Sequence, residues 1–287
     1  MQIVTDSGTD VGLSPDELAE LQIHIVPLVV TLDEKSYREG IDISQEDFYR
    51  LLEASDNLPI TSQPSAGTFA ELYRRLAESD PEILSIHISS GLSGTVNAAQ
   101  AAAELVPEAD VTIVDTKTLS VASGWEVRAA ARAAQAGWPK DRILAQLAKI
   151  RAASESFYTL DDLTYLIHGG RISHLKGLIA SVLNLKPIIG IEKEGGTYVQ
   201  LGLARRFERA METLVDLIER RHPRGSALRT QVVHANNPES AARLREMVDA
   251  RFDCEWLPTR MLSLVLGAHT GPSMVAVGFA PQTAFAP

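Results

Sequence analysis

Four short apolar runs, spaced by segments of helical periodicity, restrict this chain more than any other feature. "QIVTD" (2–6), "IHIVPLVVTL" (23–32), "EILSIHI" (82–88) and "DVTIVD" (110–115) read as strands. Between and after them lie "SAGTFAELYRRLAES", "GTVNAAQAAAELV" and "SVASGWEVRAAARAAQ". The first of these sets Phe69, Leu72, Tyr73 and Leu76 on one helical face, with Ser65 placed as an N-cap. Strands that alternate with helices predict a mainly parallel sheet covered on both faces. "PKDRILAQLAKIRAAS" follows as one more helix, with Pro139 in its first turn.

Beyond residue 153 the pattern changes. "SFYTL" reads as a strand and "DDLTYLIHGG" as a short helix ended by glycine. "KPIIGIEKEGGTYVQLG" reads as a hairpin. "RRFERAMETLVDLIERR" and "PESAARLREMVDAR" are amphipathic helices among further strands, "TQVVHA", "CEWLPTRM" and "SMVAVGF". A chain of 287 residues is near the size at which one core divides into two. Two domains are therefore predicted, at 1–153 and 154–287.

Charge narrows the function. The formal net charge is −10, and the only basic clusters are "RRFER" and "ERRHPRG". Duplex nucleic acid calls for a basic face, so no nucleic-acid partner is expected. Cys254 stands alone, which excludes an intrachain disulfide and a cysteine zinc site. The seven histidines show no HExxH spacing. No basic leader precedes the first strand and no run reaches 18 apolar residues, so the expectation is a cytoplasmic protein without stable membrane insertion.

Several polar turns are candidates for binding. "SSGLSGT" (89–95) fails the G-x-S-x-G nucleophile pattern at Thr95, and no lysine follows the glycines as in a P-loop. Ser93 and the amides from Gly94 onward therefore either cap a helix or hold an anion without chemistry. "TSQPSAG" (61–67) offers Thr61 and Ser62, or is an ordinary capped helix start. "TDSGTD" (5–10) could bring Asp6 and Ser7 to the same crevice; a metal on Asp6 and Asp10 would need further oxygen ligands. "HGGRIS" places Arg171 after two glycines, facing an anion or holding a loop. "AHTGPS" places His269 and Thr270 on a turn, with no triad spacing. Asp115, at a strand end, is expected to cap a helix. Ile188, Ile189, Leu262 and Leu266 either line a tunnel or belong to a core.

In series, these pieces resemble the DegV family of fatty-acid-binding proteins. The matching stretches are "VTDSGTD", "TSQPS", "SSGLSGT", "DTKTLSVASG", "YTLDDLTYLIHGGRIS", "LNLKPII" and "GAHTGPSMVAVGF". The resemblance implies an α/β chain of two domains. The N-terminal one is α/β/α with a mainly parallel sheet, the C-terminal one is α/β with a largely antiparallel sheet, and the ligand lies between them. It implies a long-chain fatty acid whose carboxylate is held by Thr61 and Ser93, with its tail in an apolar tunnel. His269 would support that network, and Ser62, Gly94, Thr270 and Arg171 would complete the site. Arg205 would face a partner, the separate ATP-dependent fatty acid kinase subunit that makes the acyl phosphate for phospholipid synthesis. No cofactor, metal or catalytic residue is implied in this chain. The rival readings are a serine hydrolase or acyltransferase using Ser93, and a carrier for another lipid-like acid that works without a kinase. Ser273 stands where the family has glycine, which questions the turn's backbone, because serine tolerates positive φ poorly.

Overall fold

In the computed structural model, which describes residues 1–175 and 185–286, the first half holds the predicted parallel sheet. Its elements are β1 (Gln2–Asp6), α1 (Pro15–Glu20), β2 (Ile23–Val26), β3 (Val29–Leu32), β4 (Lys35–Arg38), α2 (Gln45–Ala54), β5 (Ile60–Ser62) and α3 (Ala66–Ala77). After these come β6 (Glu82–His87), α4 (Thr95–Glu104), β7 (Asp110–Asp115), α5 (Ser120–Gln135) and α6 (Lys140–Ala153). The order β2-β1-β6-β7 is parallel throughout. Alternation along the strands feeds both faces. Val4 and Ile83 pack with Phe69 and Tyr73 of α3 and with Ala99 of α4. Ile3, Leu84 and Ile86 pack with Val127 of α5 and with Ile143 and Leu147 of α6. Ser65 caps α3 as predicted, accepting from the Thr68 N–H. Pro139 is the N-cap of α6 and not a first-turn residue.

The run "IHIVPLVVTL" is not one strand. Pro27 has no N–H to give a ladder. The chain breaks there, leaving β2 in the parallel sheet while β3 starts a separate antiparallel sheet of order β4-β3-β5. Residues 33–58, unassigned from the sequence, supply β4 and α2. The latter is capped by Ser44, which accepts from the Asp47 N–H.

The second half contains β8 (Glu155–Thr159), α7 (Thr164–His168), β9 (Lys186–Ile191), β10 (Tyr198–Ala204), α8 (Phe207–Arg221) and β11 (Ala227–His234). It continues with α9 (Pro238–Asp249), β12 (Asp253–Trp256), β13 (Arg260–Met261), α10 (Leu264–Thr270) and β14 (Val275–Pro281). Its sheet has seven strands in the order β10-β9-β8-β14-β11-β12, with β13 also on β11. Only the β11–β12 and β11–β13 pairs are parallel. The hairpin of β9 and β10 is as predicted; Leu183 and Asn184 of "LNLKPII" lie outside the described residues. One face of this sheet packs on α8 and α9 through Phe157, Ile188 and Phe279.

The other face turns toward the first half. Tyr158, Ile189 and Val233 share one apolar cluster with Leu28, Phe48 and Tyr49. The short helix α10 completes it with Leu264 and Leu266. Phe48 is fully buried there. Phe48→Ala should cost about 3–5 kcal/mol of stability. Because both halves contribute to this cluster, urea unfolding should remain one transition by circular dichroism and by tryptophan fluorescence. Two separated transitions in the wild type would refute the shared core.

Candidate functional site

Four separate segments deliver polar groups to the seam between the two halves. Thr61 and Ser62 lie on β5, an edge strand, where the sequence suggested a turn; Thr61 pairs with Val30 of β3. His269 sits on α10, and its Nε2 is 2.8 Å from Thr61 Oγ1. Ser93 precedes α4, whose N-cap position is Gly94 without a side-chain cap. Ser93 Oγ lies 2.8 Å from Thr95 Oγ1 and accepts from the Thr95 N–H at 3.3 Å. Arg171 follows α7 and donates from Nη1 to the Gly169 carbonyl at 2.6 Å.

Thr61, Ser62, Ser93, Arg171 and His269 all line one cavity of about 30 Å³. Its remaining walls are mainly apolar, among them Leu28, Ile88, Leu92 and Val265. A second cavity, also about 30 Å³, shares Leu119, Tyr198 and Leu266 with the first. It continues past Val121, Val233, Leu262 and Met274 and includes Thr270 in its wall. Each has room for about one water molecule. The two cavities adjoin across their shared walls, the first carrying the polar groups and the second mainly apolar. Ile188 and Ile189 are core: the first packs under α8 and the second in the shared cluster.

His269 is electrostatically distinctive. Burial, aided by the charge of Arg171 and by His168, pushes its pKa from the ordinary 6.5 down to about 4. The ring is therefore neutral at pH 7. Nδ1 is buried and has no hydrogen-bond partner among the described residues. Gly169 backs directly onto it, and any side chain there would strike the ring. An orphaned N–H is less tolerable than an orphaned lone pair. The proton is thus assigned to Nε2, donating to Thr61 Oγ1, which leaves the Thr61 O–H free to donate to a ligand oxygen.

The turn that carries Ser93 is braced on two sides. Ser90 Oγ donates to Asp115 at 2.5 Å, and the Ser90 and Lys117 amides donate to the same carboxylate. Asp115 is therefore a brace and not the helix cap expected from the sequence; α5 has no side-chain cap. From the other half comes the Gly196 carbonyl of the β9–β10 turn, which accepts from Ser89 Oγ at 2.8 Å.

The remaining candidates lie elsewhere. Asp6 faces inward, accepting from the Gly8 and Ile88 amides and from His87 Nδ1, while Ser7 Oγ accepts from the Leu28 N–H. Neither reaches the cavity. Gly94 does not line it; its Cα faces the Gln63 side chain. Arg205 is exposed and lies outside both cavities. No metal-holding group of His, Cys, Asp or Glu occurs among the described residues. Ser273 is free of the suspected strain. The positive φ of that turn falls on Gly271, while Ser273 Oγ accepts from the Asp161 N–H at 2.9 Å.

Two carboxyl groups important to the site were not read as such. Asp10 accepts from the Ser263 N–H at 3.0 Å and from Ser120 Oγ at 2.6 Å. Glu39 accepts from the Leu264 N–H at 2.5 Å. Both thus hold the start of α10. Burial raises Asp10 to about 7; burial and then the charge of Asp10 raise Glu39 to about 8. The sequence named Asp10 only as a metal candidate beside Asp6, and no local pattern marked Glu39.

Three comparisons place this arrangement among known proteins. The family model described as "Uncharacterised protein, DegV family" matches residues 1–282. A DegV domain-containing protein of Listeria innocua is 35% identical over 271 residues, 94% of each chain. A DegV family protein from Thermus thermophilus, described for its fatty acid binding, superposes with a TM-score of 0.88 at 30% identity, covering 98% of this chain and 99% of its own. DegV of Bacillus subtilis, described as a fatty acid binding protein, gives 0.87 at 30% identity with the same coverage.

The His269 shift has a definite sign in stability. Between pH 6.5 and about 4 the unfolded chain takes up a proton that the folded chain refuses. The contribution is present above pH 6.5 and is lost as pH falls through that window, on the order of 3 kcal/mol at most. Asp10 and Glu39 act oppositely: their raised pKa values favour folding at low pH, and that contribution is lost as pH rises through about 7 and about 8. The effect of His269 is therefore a difference. In urea melts from pH 8 to 4, the wild type should lose stability relative to His269→Gln below pH 6.5. A constant gap between the two would refute the neutral buried ring.

Proposed function

The chain belongs to the DegV family, and from that premise and the seam geometry we propose that it binds a long-chain fatty acid, its carboxylate at Thr61 and Ser93 and its tail in the apolar passage. One observation carries the reading: polar groups from four separate segments meet at one end of an otherwise apolar path. The neutral His269 orients the Thr61 hydroxyl outward. Either hydroxyl of the Ser93–Thr95 pair can donate; in the proposed complex Thr95 donates to Ser93 Oγ and the Ser93 O–H turns to the second carboxylate oxygen. Arg171 supplies positive charge at the rim. The same reading divides the chain after residue 153, with the ligand between the two domains.

The energetics follow a division of labour. A tail of about fifteen methylenes contributes on the order of 12 kcal/mol gross at about 0.8 each. Each hydrogen bond to a charged carboxylate adds about 1.5–3 kcal/mol. Association costs about 4–15 kcal/mol. The tail supplies most of the affinity, and the hydroxyls decide which end stays at the polar mouth. The passage is narrow, so the tail has to part its lining side chains.

Presentation of the bound acid to a separate ATP-dependent kinase completes the proposal. Ser93 Oγ bonds to Thr95, while the nearby imidazole is committed to Thr61. A nucleophile and its base are therefore not paired, which favours binding over a hydrolase. Exposed Arg205 makes no ion pair among the described residues and suits a partner contact.

Extraction of purified protein with organic solvent should yield a long-chain acid by mass spectrometry. Ser93→Ala should raise the Kd for the acid roughly ten-fold while hardly changing that for the alcohol of equal length. Equal losses for both would remove Ser93 from the head-group site. Arg205→Glu should lower acyl phosphate formation by the cognate kinase with the Kd for the acid unchanged. Loss of the acid itself would show an internal role.

A further inference from the structure

A larger cleft, about 510 Å³, opens where α5 and α6 meet β11, β12 and the terminal segment. That volume is within the range of small-molecule sites, roughly 300–1,000 Å³. Arg128 and Arg132, one helical turn apart on α5, face into it together with Arg229 from β11. Like charges four residues apart destabilise a helix. Here a third guanidinium joins them, and burial together with Arg132 and Arg229 lowers the Arg128 pKa. Arg229 is neutralised by Glu255 at 2.8 Å. Arg128 and Arg132 have no carboxylate within ion-pair distance among the described residues. Glu17, whose charge acts on Arg128, is spent on the cap of α1, where it accepts from the Ser14 N–H at 2.7 Å. On a chain of net charge −10, two uncompensated guanidinia converging in a concavity call for an anion.

The walls are apolar and fixed. Trp125 donates to Gln231 Oε1 at 3.0 Å and stacks edge-on against Phe285. Arg229 lies 3.9 Å over the Phe285 ring, and Arg142 lies 3.5 Å over the Trp138 ring. Gln146 ties the terminal segment down through the Ala284 carbonyl at 3.1 Å. Rigid aromatic walls beside a guanidinium cluster suit a flat body that carries a phosphate.

We propose that this cleft is a second binding site, for a small phosphorylated ligand with a planar apolar body, its phosphate held by Arg128 and Arg132. The cleft shares no lining residue with the two seam cavities.

The test is a titration of the full chain with ADP, inorganic pyrophosphate and adenosine, followed by calorimetry and by quenching of Trp125 and Trp138. ADP and pyrophosphate should bind saturably, in the millimolar range or tighter, and adenosine should not. Arg128→Gln and Arg132→Gln should each weaken ADP roughly ten- to hundred-fold, and Arg128→Lys should recover part of the loss. Thermal melts of the variants matching wild type separate this effect from misfolding. Absence of saturable binding by both phosphates, binding unchanged in both glutamine variants, or adenosine binding as well as ADP would each overturn the proposal.

Discussion

A helix of seven residues cannot hold itself in water; it exists only as far as its surroundings fix it. α10 is such a helix, and the seam depends on it. Its first amides are held by Asp10 and Glu39 from the other half of the chain, and Tyr49 donates to the carbonyl just before it. Its far end carries His269 onto Thr61. The polar mouth is thus assembled by long-range contacts, with partners separated by 208 to 253 positions in the chain. Burial and the nearby Asp10 push Glu39 toward its protonated form, which lowers the cost of its unpartnered carboxyl oxygen.

The parts legible in the sequence were those governed by local rules. The parallel sheet followed from short, continuously apolar runs that alternate with helices of a single apolar face. Ser65 was identified as a cap because the cap is a contact three residues long. Thr61, Ser62, Ser93, Arg171 and His269 were found together only because their motifs occur in a family's order; spacing alone left Ser93 undecided between cap and anion site. Pro27 shows the opposite failure. Hydropathy ran straight through it, yet the missing amide hydrogen sends the chain into another sheet. Asp115 and Glu39 were misjudged or missed because a decisive partner of each, Ser90 and Leu264, lies 25 and 225 positions away in the chain.

The two halves also divide the work physically. The parallel sheet offers loops and helix starts, which carry hydroxyls and amides. The second sheet offers a broad apolar face, with Tyr158, Ile189 and Val233 turned inward. The proposed site for an amphipathic acid needs both surfaces. Laid against each other, with Ser89 joined to Gly196 across the join, they make one site that is wet at one end and dry at the other.

The narrowness of that passage governs tempo as well as affinity. Side chains that leave space for a single water must separate before a long chain can thread between them, and close-packed interiors separate by rare collective openings. Entry is then limited by how often the walls part, so at high ligand supply the observed rate of uptake levels off at the opening frequency. On the proposed reading, exit passes the same gate, so the residence of a bound acid is set by the same opening frequency.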